Sequence, residues 1–173
     1  MAQPNHTSDL TLDVDGERCS LTVDNRVTLL DALREHLGVT APKKGCDHGQ
    51  CGSCTILVDG RRMTSCLTFA VAADGAHITT AAGLGDGERL HEMAQAFCDE
   101  DAFQCGYCTP GQICSAIGML DEAKAGSPSY VTDDLESSPE LDEDEIRERM
   151  SGNLCRCAAY PNIVSAIRRV ALS

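Results

Sequence analysis

Residues 45–54 read GCDHGQCGSC, with thiols at Cys46, Cys51 and Cys54, and Cys66 follows after eleven intervening residues. Three soft donors inside one glycine-containing loop, with a fourth returning from further along the chain, suit thiolate ligation of iron and sulfide. A tight loop can deliver three ligands only if its backbone folds closely around the bound group, and Gly45, Gly49 and Gly52 sit where that is needed. Small residues between the ligands also leave peptide N–H groups free to point at the sulfurs. A second quartet, Cys105, Cys108, Cys155 and Cys157, pairs a CxxC with a late CxC. It must bring two distant segments together. The chain is therefore predicted to hold two iron–sulfur clusters.

The C-x4-C-x2-C run of the first quartet is the spacing of plant-type [2Fe-2S] ferredoxins. Structural zinc is the plain alternative, since CxxC pairs also build four-cysteine zinc sites, but the five-residue step from Cys46 to Cys51 matches a ferredoxin loop better. A Rieske centre fails: Cys46-Asp47-His48 has the required form, yet Cys51-Gly52-Ser53-Cys54 offers cysteine where a second histidine is needed. His48 is expected to be a loop residue, Lys43 and Lys44 ordinary surface lysines, and the three remaining cysteines, Cys19, Cys98 and Cys114, buried and inert.

Working outward, Asp15-Gly16 and Asp59-Gly60 are turn dipeptides that predict two hairpins, over residues 9–23 and within TILVDGRRMTSC, the second returning the chain to Cys66. Thr28 is placed to cap a helix whose stripe is Leu29, Leu30, Leu33 and Leu37, with Gly38 just beyond. Residues 78–80 supply a last strand. From Glu88 the period turns helical: Leu90, Met93, Ala94 and Phe97 before the second CxxC, then Ile113, Ala116, Ile117 and Leu120 after Thr109-Pro110. A helix capped by Asp142 or Asp144 and a last one opened by Pro161, with Ile163, Val164, Ile167 and Val170 inward, complete the pattern. The expected fold is α+β: a β-grasp domain over residues 1–84 and a four-helix domain over 85–173. An acidic surface excursion with little structure of its own is expected near 126–141.

The formal net charge of −13 argues against a nucleic-acid partner. Much of it falls between Asp133 and Glu148, expected to be a solvated face and linker. Aromatic content is 3 % and Trp is absent, so a light aliphatic core needs the help of bound metal. No apolar run approaches the roughly 18 residues of a membrane span. The opening MAQPNHTSDL lacks a basic region followed by an apolar stretch, and Arg61-Arg62 and Arg168-Arg169 are internal. A cytoplasmic location is expected, or a periplasmic one if an export signal has been removed. No Walker loop, dinucleotide-binding glycine motif or Ser/His/Asp constellation is visible, and no catalytic residue is assigned.

Three stretches in order, GCDHGQCGSCTILVDG, QCGYCTPGQI and SGNLCRCAAYPNI, closely resemble the two-cluster iron–sulfur subunit of the molybdenum hydroxylase (xanthine oxidase) family, and the likeness covers nearly the whole chain. The resemblance implies that Cys46, Cys51, Cys54 and Cys66 ligate a [2Fe-2S] cluster nearer a flavin. It implies that Cys105, Cys108, Cys155 and Cys157 ligate one nearer the molybdenum cofactor, with Gln104 and Cys157 close to its pterin. It also implies a large molybdenum cofactor-binding subunit that hydroxylates an aldehyde or N-heterocycle, and a medium FAD-binding subunit. This chain would be the non-catalytic electron relay between them. The long acidic linker looks like the bacterial aldehyde oxidoreductase branch, whose flavin subunit can carry a further [4Fe-4S] cluster. The alternatives are the small subunit of a xanthine or N-heterocycle dehydrogenase, and a free-standing ferredoxin-like carrier.

Overall fold

In the computed structural model, residues 6–136 and 139–172 are described. Two strands, β1 (Thr7–Val14) and β2 (Glu17–Asp24), pair antiparallel with Leu10 opposite Leu21. Their turn places Asp15 at φ 54° and Gly16 at φ 84°, the tight turn that matches the right-handed twist of the strands. Strands β3 (Thr55–Val58) and β4 (Arg61–Thr64) form the second hairpin on the same principle, with Asp59 and Gly60 at φ 49° and 79°. The last strand, β5 (His77–Thr79), enters the middle, parallel to β1 and antiparallel to β3, giving the order β2-β1-β5-β3-β4. This is the mixed sheet of a β-grasp unit.

Thr28 caps the helix as expected, its hydroxyl accepting from Asp31 N at 3.1 Å. Only one α-turn follows, α1 (Leu29–Asp31), before the backbone widens into a π-helical turn over Ala32–His36, with Leu37 N donating to Ala32 O. Leu29, Ala32 and Leu33 are fully buried against Leu12, Val14, Ile56 and Ile78 of the sheet, so the stripe packs as predicted although the helix does not keep its pitch. Two 3₁₀ turns, Ser65–Leu67 and Ala70–Ala73, were not expected. The first carries Cys66, which lies just past β4 rather than on its end.

Four helices follow: α2 (Glu92–Asp99), α3 (Thr109–Lys124), α4 (Glu143–Arg149) and α5 (Tyr160–Ala171). Their core joins Met93, Phe97, Met119, Ile146, Ile163 and Ile167. The expected start of α2 at Glu88 is corrected to Glu92, where the His91 ring accepts from Met93 N at 3.1 Å. Asp86 Oδ1 accepts from both Glu88 N and Arg89 N, which holds the preceding stretch as a turn and leaves Leu90 exposed. Of the two candidate caps for α4, Asp142 serves, its carboxylate accepting from Glu145 N at 2.9 Å. Among the described residues no helix is long and apolar enough to cross a membrane.

The two halves meet along β3, every residue of which is buried, with α3 packed on β3 and β4. Arg62 clamps this contact. Its guanidinium is bidentate to the Glu122 carboxylate of α3 at 2.9 and 2.8 Å and also donates to Ser115 Oγ at 3.1 Å and to the carbonyl of Arg149, at the end of α4, at 2.7 Å. The acidic stretch is less solvated than its composition suggests. Glu145 and Arg149 form an ion pair at 2.9 Å with side chains only 6 % and 3 % exposed, and Arg149 also donates to Ser127 O. Desolvation would raise the Glu145 carboxyl, but hydrogen bonds from Thr132 and Ser129 and the Arg149 charge outweigh it and hold it below the usual range. The beginning of the excursion is thereby tied to α4.

Gly52 stands at this seam with φ +69°, and a β-carbon there would lie 2.4 Å from Gly152 O and 2.6 Å from Asn153 Nδ2. Gly60 has φ +79° but open space around it. Gly52→Ala should destabilise by roughly 3 kcal/mol or more, combining left-handed strain with overpacking, and Gly60→Ala by about 1. In thermal unfolding of the cluster-loaded protein, that is a midpoint drop of about 6 °C or more against about 3 °C.

Candidate iron–sulfur centres

The loop between the π-helical turn and β3 gathers the first quartet. Asp47 takes φ 60° and Gly49 φ 78° to wrap it, while Gly45 is needed for room: a β-carbon there would lie 2.9 Å from Cys51 Sγ. The sulfurs are arranged as two pairs. Cys46 and Cys51, both half-buried, are neighbours, and so are Cys54 and Cys66, both buried and packed against Leu30.

Electrostatics differ between the pairs. Burial alone would raise the Cys46 thiol, but the backbone N–H groups of His48, Cys51 and Gln50, together with the Cys51 side chain, outweigh it and bring it down to about 6. The Gln50 N to Cys46 Sγ distance is 3.3 Å. Burial pushes Cys66 up to about 12, reinforced by Cys54, although Gly49 N–H opposes the rise. His48 is a loop residue as expected, its ring Nδ1 set 2.6 Å from Cys46 O. Lys44 is more than ordinary surface. It bridges Asp31 at 2.5 Å and Asp47 at 3.4 Å, joining the cysteine loop to α1, and its ammonium is favoured chiefly by the Asp31 hydrogen bond.

The second quartet is built from helix ends. Cys108 is the residue before α3, and Cys155 and Cys157 lie just before α5, where Ala159 N, of the residue preceding the helix, donates to Cys155 Sγ at 3.4 Å. Helix N-termini present free N–H groups to anionic sulfur. Again there are two sulfur pairs: Cys105 with Cys157, and Cys108 with Cys155. Cys105 is exposed, and the Tyr107 N–H, then the Cys157 thiol, lower it; burial first, then Cys155, pushes Cys108 up to about 12. Gln104 is exposed beside Cys105, and Cys157 is half-buried.

Each quartet thus has an inner and an outer sulfur pair. This division suits two irons per site. The residues also fit a cluster's need for donors: Thr109 Oγ1, next to Cys108, is buried without a hydrogen-bond partner, and an inorganic or thiolate sulfur is the acceptor its position lacks.

Sequence reasoning missed what joins the centres. Leu154 N donates to Cys51 O at 2.9 Å, and the Asn153 side chain donates to Gly52 O at 3.0 Å. The signal present was only the unexplained Asn in SGNLCRC. The expectation for the spare cysteines holds at Cys114, fully buried, and is corrected at the other two: Cys98 lies on the outer face of α2, exposed, and Cys19 on edge strand β2 is half-buried.

A β-grasp sheet and a four-helix unit, each carrying two neighbouring pairs of thiols, define a two-centre iron–sulfur protein. Residues 12–82 match the 2Fe-2S iron-sulfur cluster binding domain family, and residues 80–168 match a [2Fe-2S] binding domain family. The aldehyde oxidoreductase iron-sulfur-binding subunit PaoA of Escherichia coli O157:H7 is 60 % identical over 94 % of this chain and 71 % of its own length. The nicotine 6-hydroxylase small subunit of Paenarthrobacter nicotinovorans is 41 % identical over 95 % of this chain and 90 % of its own length. A chain of the quinoline 2-oxidoreductase crystal structure from Pseudomonas putida 86 superposes with a TM-score of 0.81 at 41 % identity, over 97 % of this chain and 94 % of that one. The chain belongs to the two-cluster [2Fe-2S] iron–sulfur subunits of the molybdenum hydroxylase (xanthine oxidase) family.

Burial pushes the Cys114 thiol up to about 12, whereas an exposed thiol ionises near about 8.5. In the cluster-loaded protein iodoacetamide should modify Cys98 and spare Cys114 at pH 8 to about 9, as read by peptide mass spectrometry, with Cys114 reacting only on unfolding. Because the folded value is the raised one, this group's contribution to stability is complete below about pH 8.5 and is lost as pH rises toward 12.

Proposed function

We propose that this chain is the electron-transfer subunit of a molybdenum-containing aldehyde oxidoreductase, working between a large subunit that holds the molybdenum cofactor and a medium subunit that holds FAD. When bound, two [2Fe-2S] clusters accept and release single electrons, which connects a two-electron oxidation to a flavin able to take electrons singly or in pairs. The chain's own task is to hold eight thiolates, Cys46, Cys51, Cys54 and Cys66, then Cys105, Cys108, Cys155 and Cys157, at a fixed separation.

The observation that carries this reading is the 2.9 Å hydrogen bond from Leu154 N to Cys51 O. Covalent bonds run from the Cys51 thiol to that carbonyl and from the Leu154 N–H to the Cys155 thiol. One hydrogen bond therefore closes a path from quartet to quartet. Gln104 and Cys157 are assigned to the end facing the pterin, a role supported by their access to the surface.

A dedicated subunit accounts for the surface better than a free carrier does. Large apolar side chains are exposed in sequence around the cysteines: Met63, Leu67 and Phe69 about Cys66, Phe103 and Tyr107 about Cys105, and Leu154 and Tyr160 about the CxC. Aldehyde as the substrate class is supported by the 60 % identity to the aldehyde oxidoreductase subunit. An N-heterocycle dehydrogenase is the second reading, resting on the 41 % identity to the nicotine 6-hydroxylase small subunit and to the quinoline 2-oxidoreductase chain.

Isolated from its native host, the complex should contain molybdenum, FAD and about four iron per copy of this chain, or about eight if the flavin subunit holds a [4Fe-4S] cluster. Iron without molybdenum or FAD would overturn the reading in favour of a carrier. In the same complex Cys105→Ser should abolish substrate-driven flavin reduction while the electron paramagnetic resonance signal of the first cluster survives; undiminished flavin reduction contradicts the route.

A further inference from the structure

Asn153 lies between α4 and α5, directly before Leu154, and is 6 % exposed. Its side-chain Nδ2 faces three acceptors at once: Gly52 O at 3.0 Å, Gly111 O at 3.3 Å and Thr55 Oγ1 at 3.4 Å. Thr55 Oγ1 is committed to the same carbonyl, donating to Gly52 O at 2.7 Å, so the side-chain nitrogen must be the donor at this point. The Asn153 backbone is held as well. Its carbonyl accepts from Gln112 Nε2 at 2.9 Å, the Gln112 side chain being itself buried, and its N–H donates to Met150 O at 3.0 Å.

These contacts fix a single peptide from both sides. The first half contributes Gly52 and Thr55, the N-terminal turn of α3 contributes Gly111 and Gln112, and the next N–H in line, that of Leu154, is aimed at Cys51 O. Close packing leaves no room to slide. A β-carbon on Gly111 would lie 2.5 Å from Gly52 O, so the backbones of the two halves are in direct contact here.

We infer that Asn153 is a positioning residue for electron passage between the two cysteine quartets, its side-chain amide holding the Leu154 N–H on the Cys51 carbonyl. The inference rests on the relay reading above. With clusters bound, the passage would move one electron: the cluster held by the Cys155 quartet would be oxidised as the one held by the Cys51 quartet is reduced, with no covalent bond formed or broken. Buried, with its side-chain nitrogen, its carbonyl and its N–H all hydrogen-bonded, Asn153 needs no contact with substrate or cofactor to act.

The test uses the intact complex with Asn153→Asp, which keeps the shape but turns the donor into an acceptor, and Asn153→Ala, which removes it. Glu122→Ala is the comparison, because it deletes a different contact between the halves, the two hydrogen bonds from the Arg62 guanidinium to the Glu122 carboxylate at 2.9 and 2.8 Å. Electron paramagnetic resonance of the dithionite-reduced complex reads the magnetic interaction between the two clusters, and rapid-freeze sampling after mixing with substrate reads how fast the first cluster fills after the second.

Both Asn153 variants should retain two clusters with their individual signals, show a weakened magnetic interaction and fill the first cluster several-fold more slowly, while Glu122→Ala matches the native complex. Native-like interaction and filling in both Asn153 variants would overturn the inference, as would equal losses in Glu122→Ala, which would reduce the effect to general loosening. Absence of either cluster from both Asn153 variants would also overturn it, assigning the residue to cluster assembly. A native complex with no exchange between its clusters would instead sink the relay reading itself.

Discussion

The carbonyls of Cys51 and Gly52 point out of their own cysteine loop and into the other half of the molecule, where Leu154 N and Asn153 Nδ2 take them up. The rest of the structure depends on this exchange. Gly52 O keeps donors from its own half in the Thr55 N–H at 3.0 Å and the Thr55 hydroxyl at 2.7 Å, so the bond that the docked helical half alone supplies is the one to Cys51 O, and a carbonyl buried there without a donor would cost about 1–3 kcal/mol. The converse also holds. The segment carrying Cys155 has no regular secondary structure before α5, and it takes its conformation from the β3 side of the seam.

Assembling anionic sulfur inside a chain that already carries a formal charge of −13 has to be compensated at short range. The compensation comes from backbone dipoles. N–H groups of His48, Gln50 and Cys51 serve Cys46, Gly49 serves Cys66, Tyr107 serves Cys105, and Ala159 serves Cys155. Lysine has a structural part here: Lys44 neutralises Asp31 and Asp47, tying the loop to α1 without contributing to the sulfur pairs. The shifts of the buried Cys66 and the half-buried Cys108 run upward because desolvation there outweighs the available donors. Bound iron supplies the positive charge that makes thiolates at those positions tolerable.

Much of this architecture was legible as local chemistry. Asp-Gly turns, the Thr28 cap and proline at the first turns of α3 and α5 act within a few residues, and each stands where the sequence put it. The cysteine sets were legible for the same reason, since a ligand quartet is a statement about spacing. What stayed hidden depends on distant partners. The π-helical turn after Asp31 reflects fitting Leu33 and Leu37 over the sheet, and nothing in LLDALREHL reports it. Arg62 reads as half of an exposed Arg-Arg pair until Glu122, some sixty residues on, is placed beside it. Glu145 and Arg149 are lost in an acidic run until α4 docks and buries them. Cys98 was misjudged because burial was assigned by residue type, whereas its position on α2 turns it outward.

The link between the halves uses main-chain atoms at both ends, and this decides which side chains near it matter. Leu154 donates through its backbone while its side chain is 51 % exposed, so any residue with an N–H and no special backbone demand could supply the bridge. Cys51 accepts through its carbonyl, leaving its thiol free for iron. A backbone hydrogen bond has no side-chain identity to specify it, so a neighbouring side chain must hold the two strands of backbone in register. At this seam Asn153 is buried among three oxygens, and two glycines allow the close approach. The sequence therefore records the bridge one residue away from where it forms, in the asparagine of SGNLCRC and in Gly52 and Gly111. The leucine that makes the bond carries no trace of it.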